Sequence, residues 1–384
     1  MSMAVDVVRR FCDLRVLAIG DAILDSYLEG SASRLCREGP VPVVRKTAEE
    51  HVPGGAANTA ANLRALGAEV IFIGIVGQDA PGRSLRAALR AQGVDDRWLV
   101  EDPAASTLHK LRILARSQYV VRFDEGETRS CSSEGQQRLV ANLEHAFPLC
   151  DLVVVSDYGY GVASEEVNGR LRELRAARPC VLVVDAKDLR RFRHAGATVV
   201  TPNQLEALLS VEPGSHYDGA IDIVETERIG QRLLATIDAE YAAITMAGDG
   251  VLLVDRHGGP LHLPTRPVTH ANDVGAGDSF TAAFALALGA DASREEAARI
   301  GIEAATIAVA KQRTAVVHHQ ELLQQVSLHD YDAVSKADDA AVEALAVHLD
   351  TERRGLDGHA RTIVFTNGVF DILHAGHIHF LRAA

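Results

Sequence analysis

Short apolar runs rich in β-branched residues recur along the first two thirds of this chain, and they constrain its fold more than anything else in it. They lie at Val16–Gly20, Val70–Val76, Leu152–Ser156, Val181–Asp185, Thr198–Thr201, Ala243–Thr245 and Val251–Val254. None alternates with polar residues, so each predicts a strand covered on both faces. Helical patterns separate them at Thr59–Leu66, Gly82–Gln92, Val167–Ala177, Ile229–Ile237 and Ser279–Leu288. Doubly covered strands joined by helices pack as a doubly wound α/β fold with a mostly parallel sheet. Val41–Lys46 and Leu108–Asp124 do alternate, which predicts a small antiparallel sheet lying against the large one.

Charge and cysteine use narrow the function classes. The chain has 384 residues and a formal charge of −13, which disfavours a general binder of nucleic acid or anionic membrane. Phosphate, if handled, must be met by a few placed donors. The most apolar stretches, Phe280–Leu288 and Ile302–Ala310, are about half of a bilayer crossing. Neither a transmembrane span nor an export signal is expected. Five scattered cysteines, without a CxxC pair, indicate neither a disulfide framework nor a zinc ribbon, and a reduced cytoplasm is the expected location. The character changes after Leu323: Asp330–Leu356 is acidic and Ala-rich, and a new strand starts at Thr362. The expected organisation is one large domain over 1–325, a helical linker over 326–361 and the opening of another domain over 362–384.

Four motifs carry candidate chemistry. Gly275-Ala276-Gly277-Asp278 runs straight into a helix, whose free amides and dipole favour an anion. Asp278 in the first turn could take a proton from an attacking hydroxyl, or simply cap the helix. Asn203-Gln204-Leu205-Glu206 follows a strand. Oxygens at i, i+3 suit Mg²⁺ through water, but the pattern is equally a capping box. Gly54-Gly55-Ala56-Ala57-Asn58 lets a ligand approach the backbone, with Asn58 able to bond a sugar hydroxyl, or it makes a tight turn. Gly20-Asp21 with Asp25, at the carboxyl end of the first strand, suits polyol recognition or an exposed loop. No GxxxxGK[ST] occurs, which excludes a P-loop.

In this order the motifs resemble the ribokinase-like (PfkB) sugar kinases over residues 15–320. One branch is closer still, the heptose 7-phosphate kinases of lipopolysaccharide precursor synthesis. The similar stretches are Gly20–Asp25, Ser33-Arg34 with Pro40–Val44, Pro53–Asn58, Gln118 through Arg122–Asp124, Ser156–Gly159, Asp185–Lys187, and Lys311 with Thr314–Val317. The resemblance implies ATP-dependent phosphorylation, with Mg²⁺, of the anomeric hydroxyl of D-glycero-D-manno-heptose 7-phosphate to the 1,7-bisphosphate. It implies Asp278 as base, with Gly275, Ala276 and Gly277 forming the anion hole. Asn203, Gln204, Leu205, Glu206, Lys187, Thr245, Gly248 and Gly250 would border the nucleotide, with Asn203 and Glu206 organising the metal. Asp21, Asp25, Gly54, Gly55 and Asn58 would grip the sugar, and Arg34, Arg122 or Arg116 its phosphate, unless these are ordinary surface arginines. The implied assembly is a homodimer through the small sheet. Kinases for ribose or fructose share every catalytic residue named, and a non-catalytic binding remnant is a further alternative.

The chain departs from the family at Asn272 and Val274, which replace a carboxylate and a hydroxyl, and at Tyr160, which replaces a lysine of the closer branch. These changes put phosphate affinity and metal placement in question. Residues 365–377 resemble the opening of cytidylyltransferase-like nucleotidyltransferases, with His374 and His377 placed to meet nucleotide phosphates or, alternatively, a metal. The later parts of that domain are missing here, so no transferase activity is expected of these residues.

Overall fold

The computed structural model describes residues 3–333, apart from 117, 127–130, 216–220, 257, 267, 269–273, 312 and 315. Its strands are β1 Arg15–Gly20, β2 Ala22–Leu35, β3 Pro42–Gly55, β4 Glu69–Ile73, β5 Ile75–Val76, β6 Val100–Glu101, β7 Leu108–Ala115, β8 Gln118–Glu125, β9 Leu152–Asp157, β10 Val181–Ala186, β11 Ala197–Val200, β12 Ala239–Thr245, β13 Val251–Asp255 and β14 Leu261–Leu263. Its α-helices are α1 Met3–Arg9, α2 Ala56–Ala65, α3 Ala80–Ala91, α4 Ser133–Ala146, α5 Glu165–Ala177, α6 Gln204–Val211, α7 Ile223–Thr236, α8 Ala276–Gly289, α9 Arg294–Val309 and α10 His319–Ala333. The linker and second-domain segments read from the sequence fall largely beyond residue 333, and His374 and His377 lie outside the described residues.

The main sheet has the order β14-β13-β12-β11-β10-β9-β1-β4. It is parallel from β4 to β12, with β13 and β14 added antiparallel at one edge. Alternate residues of each central strand enter opposite cores, as the unbroken apolar runs require. Val16 and Ala18 of β1 join Leu152 and Val154 of β9 in one core, packed by α2, α8 and α9. Leu17, Ile19, Val153 and Val155 enter the other, under α4, α5 and α7. α8 is buried all round from Asp278 to Ala287, so its N-terminus is held rigidly by the core. Leu322 and Val326 of α10 extend the first core.

The second sheet, the lid, has the order β3-β2-β7-β8. Three sequence expectations change here. Val70–Val76 is not one strand: it breaks at Gly74 into β4, in the main sheet, and β5, which pairs with β6. β2 was not expected as a strand; it leaves β1 through the single residue Asp21 and continues for 14 residues. The lid is also not purely antiparallel. β2 and β3, and β7 and β8, pair antiparallel, but the central β2–β7 pair is parallel. Both strands leave the body of the protein in the same direction, so they run side by side. A chain of hydrogen bonds crosses all four strands: Glu125 to His109 at 2.8 Å, His109 to Ser26 at 2.8 Å, and Ser26 to His51 at 2.7 Å.

Candidate active site

β1 is flanked by β9 on one side and β4 on the other, so the order in which strands are added reverses at β1. Open α/β sheets bind ligands beyond the carboxyl ends of strands at such a point. Asp21 follows β1, Asp157 ends β9, and Asp185 lies near the end of β10. α8 points its N-terminus into the same region. Gly275 caps it with φ +81° and contributes no side-chain hydrogen bond. The first amides of a helix lack intrahelical acceptors, so those of Ala276, Gly277 and Asp278 are available to an anion. A Cβ at Gly275 would stand 3.0 Å from Asn58 Nδ2, on top of the residue that holds Asp278.

Three side-chain donors hold the Asp278 carboxylate in this cleft. It accepts from Asn58 Nδ2 at 2.7 Å, from the Tyr158 hydroxyl at 2.8 Å and from Thr59 Oγ1 at 3.2 Å. Burial pushes its carboxyl above the usual carboxylate range, while these three donors and the charge of Lys187 pull it partly back. A carboxylate with a raised pKa at a helix N-terminus can accept a proton from a hydroxyl more readily than an ordinary aspartate. Asn62 supports the arrangement: its Oδ1 accepts from Ser279 Oγ and from the Val317 amide, both at 3.0 Å.

Asp25 lies four residues into the molecule's lid rather than at the end of β1, as the sequence reading had it. Its Oδ1 accepts from Arg112 at 2.8 Å and its Oδ2 from Thr314 Oγ1 at 3.0 Å. Arg112 packs over the ring of Tyr27, whose hydroxyl bonds Thr314 at 2.8 Å. A Cβ on Gly54 would lie 2.7 Å from Asp25 Oδ2, so only glycine lets β3 pass this carboxylate. Thr314 also stands beside Gly275, which makes lid, Asp25 and anion helix contiguous. Asp21 is occupied differently. Its oxygens accept the amides of Tyr158, Tyr160 and Val162 at 2.8, 3.0 and 3.2 Å, so it pins the loop after β9.

On the other side of Asp278, Asn203 and Glu206 form a complete capping box on α6. Glu206 also pairs with Lys187, whose ammonium stands 5.2 Å from the centre of the Tyr158 ring. Burial disfavours charge on Lys187, but Glu206, Asp185 and Asp278 outweigh it and raise its pKa. Asp185 is raised well above the usual range by burial and by Glu206, and Asp157 to about 6 by burial and Asp21. Gln204 bonds Thr226 and the Ile221 carbonyl, and Leu205 is partly exposed beside it. Thr245 pairs with Asn203 across β12 and donates its amide to the Pro202 carbonyl at 2.9 Å; Gly248 and Gly250 shape the turn that follows. Among the described residues no cluster of three His, Cys, Asp or Glu side chains is set to hold a metal directly.

The candidate phosphate-binding arginines all lie on the lid, and Arg122 stands across from Arg112, the partner of Asp25. Arg34 is exposed, nine positions beyond Asp25, roughly 30 Å along an extended strand. Arg116 sits in the turn at the tip of the β7–β8 hairpin, and Arg122 pairs with Asp124 at 2.9 Å on exposed β8. Asn272 lies outside the described residues. Sequence reasoning did not assign roles to Tyr158, Thr59, Arg112 or Thr314. For Tyr158 a signal existed, since it directly follows the acidic carboxyl end of β9.

The sequence pattern of the pfkB family of carbohydrate kinases matches residues 13–320. The chain is 34% identical over 386 residues to the bifunctional protein HldE of Trichlorobacter lovleyi, which covers 100% of this chain and 76% of the relative. It is 36% identical to the bifunctional protein HldE of Bradyrhizobium diazoefficiens, covering 96% and 73%. Among solved structures, Escherichia coli phosphofructokinase-2 in complex with potassium superposes with a TM-score of 0.66 at 22% identity, over 82% of this chain and 98% of that one. Arabidopsis thaliana ribokinase complexed with ribose and ATP does so with a TM-score of 0.63 at 18% identity, over 82% and 98%. These two likenesses show the fold.

Proposed function

This chain belongs to the pfkB family of carbohydrate kinases, and on that premise we propose that it transfers the γ-phosphoryl group of ATP to the anomeric hydroxyl of D-glycero-D-manno-heptose 7-phosphate. The observation that carries the chemistry is the position of Asp278: first turn of a buried helix whose N-cap glycine leaves its amides free, carboxylate aligned by Asn58, Thr59 and Tyr158. The heptose assignment is supported by the branch-specific stretches of sequence and by the relatives over the whole chain.

Asp278 takes the hydroxyl proton as the sugar oxygen bonds to the γ-phosphorus and the bond to the ADP oxygen breaks. The amides of Ala276, Gly277 and Asp278 face the charge developing on the transferred group. Such a reaction depends mainly on positioning and electrostatics, so the helix terminus matters as much as the base. Asp25, held by Arg112 and Thr314, and Asn58 would meet sugar hydroxyls. Mg²⁺ bound with the nucleotide would supply charge neutralisation. The residues fit it through waters, because Glu206 is already engaged by Lys187 and the Asn203 amide, while the mutual repulsion of Asp185, Glu206 and Asp278 favours a nearby cation.

The same reading makes the protein a cytoplasmic homodimer. Every residue of β8 is exposed, including Tyr119, Val121 and Phe123, and an apolar edge strand of this kind is suited to pairing with a second lid. No helix among the described residues is long and apolar enough to cross a membrane. A coupled ADP-release assay over a sugar panel tests the reading. The heptose 7-phosphate should be the best acceptor; faster turnover of ribose or of a fructose phosphate would replace it with a sibling activity.

A further inference from the structure

Lys110 lies on β7, opposite Asp25 of β2 and Asp124 of β8. It is partly buried and makes no hydrogen bond or ion pair among the described residues. Its ammonium stands 5.6 Å from the centre of the Tyr158 ring, on which Lys187 also packs. The hydroxyl of that ring reaches Asp278 at 2.8 Å, so the free ammonium and the base are separated by little more than one aromatic side chain. Burial lowers the pKa of Lys110; Asp25 and Asp124 oppose this, and Arg122 and Arg112 add to it.

The other cations of the lid have partners or stand elsewhere. Arg112 is taken by Asp25 and Arg122 by Asp124. Arg116 is six positions along the chain from Lys110, roughly 20 Å on an extended strand. A half-buried ammonium that feels two carboxylates but is bonded to neither keeps its donors open to a dianion. We propose that Lys110 receives the phosphate monoester of the acceptor sugar, so that β7 sets the preference for phosphorylated over plain sugars. The inference rests on the reading that the acceptor is a sugar phosphate, with its reacting hydroxyl at Asp278 and its phosphate a sugar's length away.

Calorimetry on the whole chain, without nucleotide, decides it. The quantity is the ratio of affinities for D-glycero-D-manno-heptose 7-phosphate and for the same heptose without phosphate. The wild-type ratio should fall about 10- to 100-fold in Lys110→Gln, the usual worth of one charge-assisted hydrogen bond, and be partly restored in Lys110→Arg. Affinity for a non-hydrolysable ATP analogue reports whether the variant is folded. A wild-type chain without preference for the phosphate, a ratio unaltered in Lys110→Gln, or equal losses for both sugars and the nucleotide would overturn the proposal. If fructose 6-phosphate proves the better acceptor, the heptose reading fails, yet the same ratio taken with fructose 6-phosphate and fructose still decides the role of Lys110.

Discussion

Tyr158→Phe isolates one contribution to the proposed base. It deletes the 2.8 Å hydrogen bond to Asp278 and retains the ring on which Lys110 and Lys187 pack. In the wild type, burial raises the Asp278 carboxyl and three donors restrain the rise. A hydrogen bond to an ionised group is worth about 1.5–3 kcal/mol, so losing this donor should disfavour the ionised Asp278 by a free energy of that order and raise its carboxyl further above the ordinary carboxylate range. The base must be ionised to act, so activity falls as pH drops through its pKa. The acid limb of the profile should therefore move to higher pH in the variant. The measurement is kcat/KM for ADP release between pH 5 and 9, because kcat/KM reports the ionisations of the free enzyme. A sugar phosphate titrates in this range too, but identically for both proteins, so the displacement between the two profiles is diagnostic. An acid limb that stays in place, or moves to lower pH, would refute the claim that this hydroxyl stabilises an ionised base.

Asp278→Asn should lower kcat by about 10²–10⁴ while calorimetry finds ATP affinity nearly intact; more than half of the wild-type turnover would remove Asp278 from the role. Asp157 has a folded pKa of about 6, raised above its unfolded value, so the native state binds its proton more tightly and loses that contribution as pH rises from about 4 to 6. Urea titrations should thus show the stability of the wild type relative to Asp157→Asn decreasing across this window; an increase would reverse the assignment. Phe123→Lys, on the exposed face of β8, should shift micromolar protein from dimer to monomer in light scattering, and a wild type that is already monomeric would contradict lid pairing.

The layered architecture was legible because it depends on local composition. A run such as Leu152–Ser156 has no polar face, and no arrangement but a covered strand satisfies it. The glycine-to-helix junction at 275–278 was legible for the same reason, since free amides at a helix start follow from backbone geometry alone. Strand β2 was missed because its outer half, from Leu28 to Leu35, is partly or fully exposed and is held by pairing with β3 and β7 rather than by an apolar pattern. Its parallel pairing with β7 depends on where two distant segments leave the main sheet.

The types of side chain available and the elements that carry them were written in the sequence: an aspartate at a helix mouth, an acid after β1, glycines ahead of α2. Which of them share a cleft was decided by the tertiary structure. Asn58 and Asp278 are 220 positions apart, Asp25 and Arg112 are 87, and Tyr158 reaches Asp278 across 120. Partners at such separations leave no periodic trace, because the backbone path that joins them is set by sheet order and core packing. The same physics turned Asp21 toward the loop at Tyr158 and set Lys110, one strand from Asp25, over the Tyr158 ring with no hydrogen bond or ion pair among the described residues.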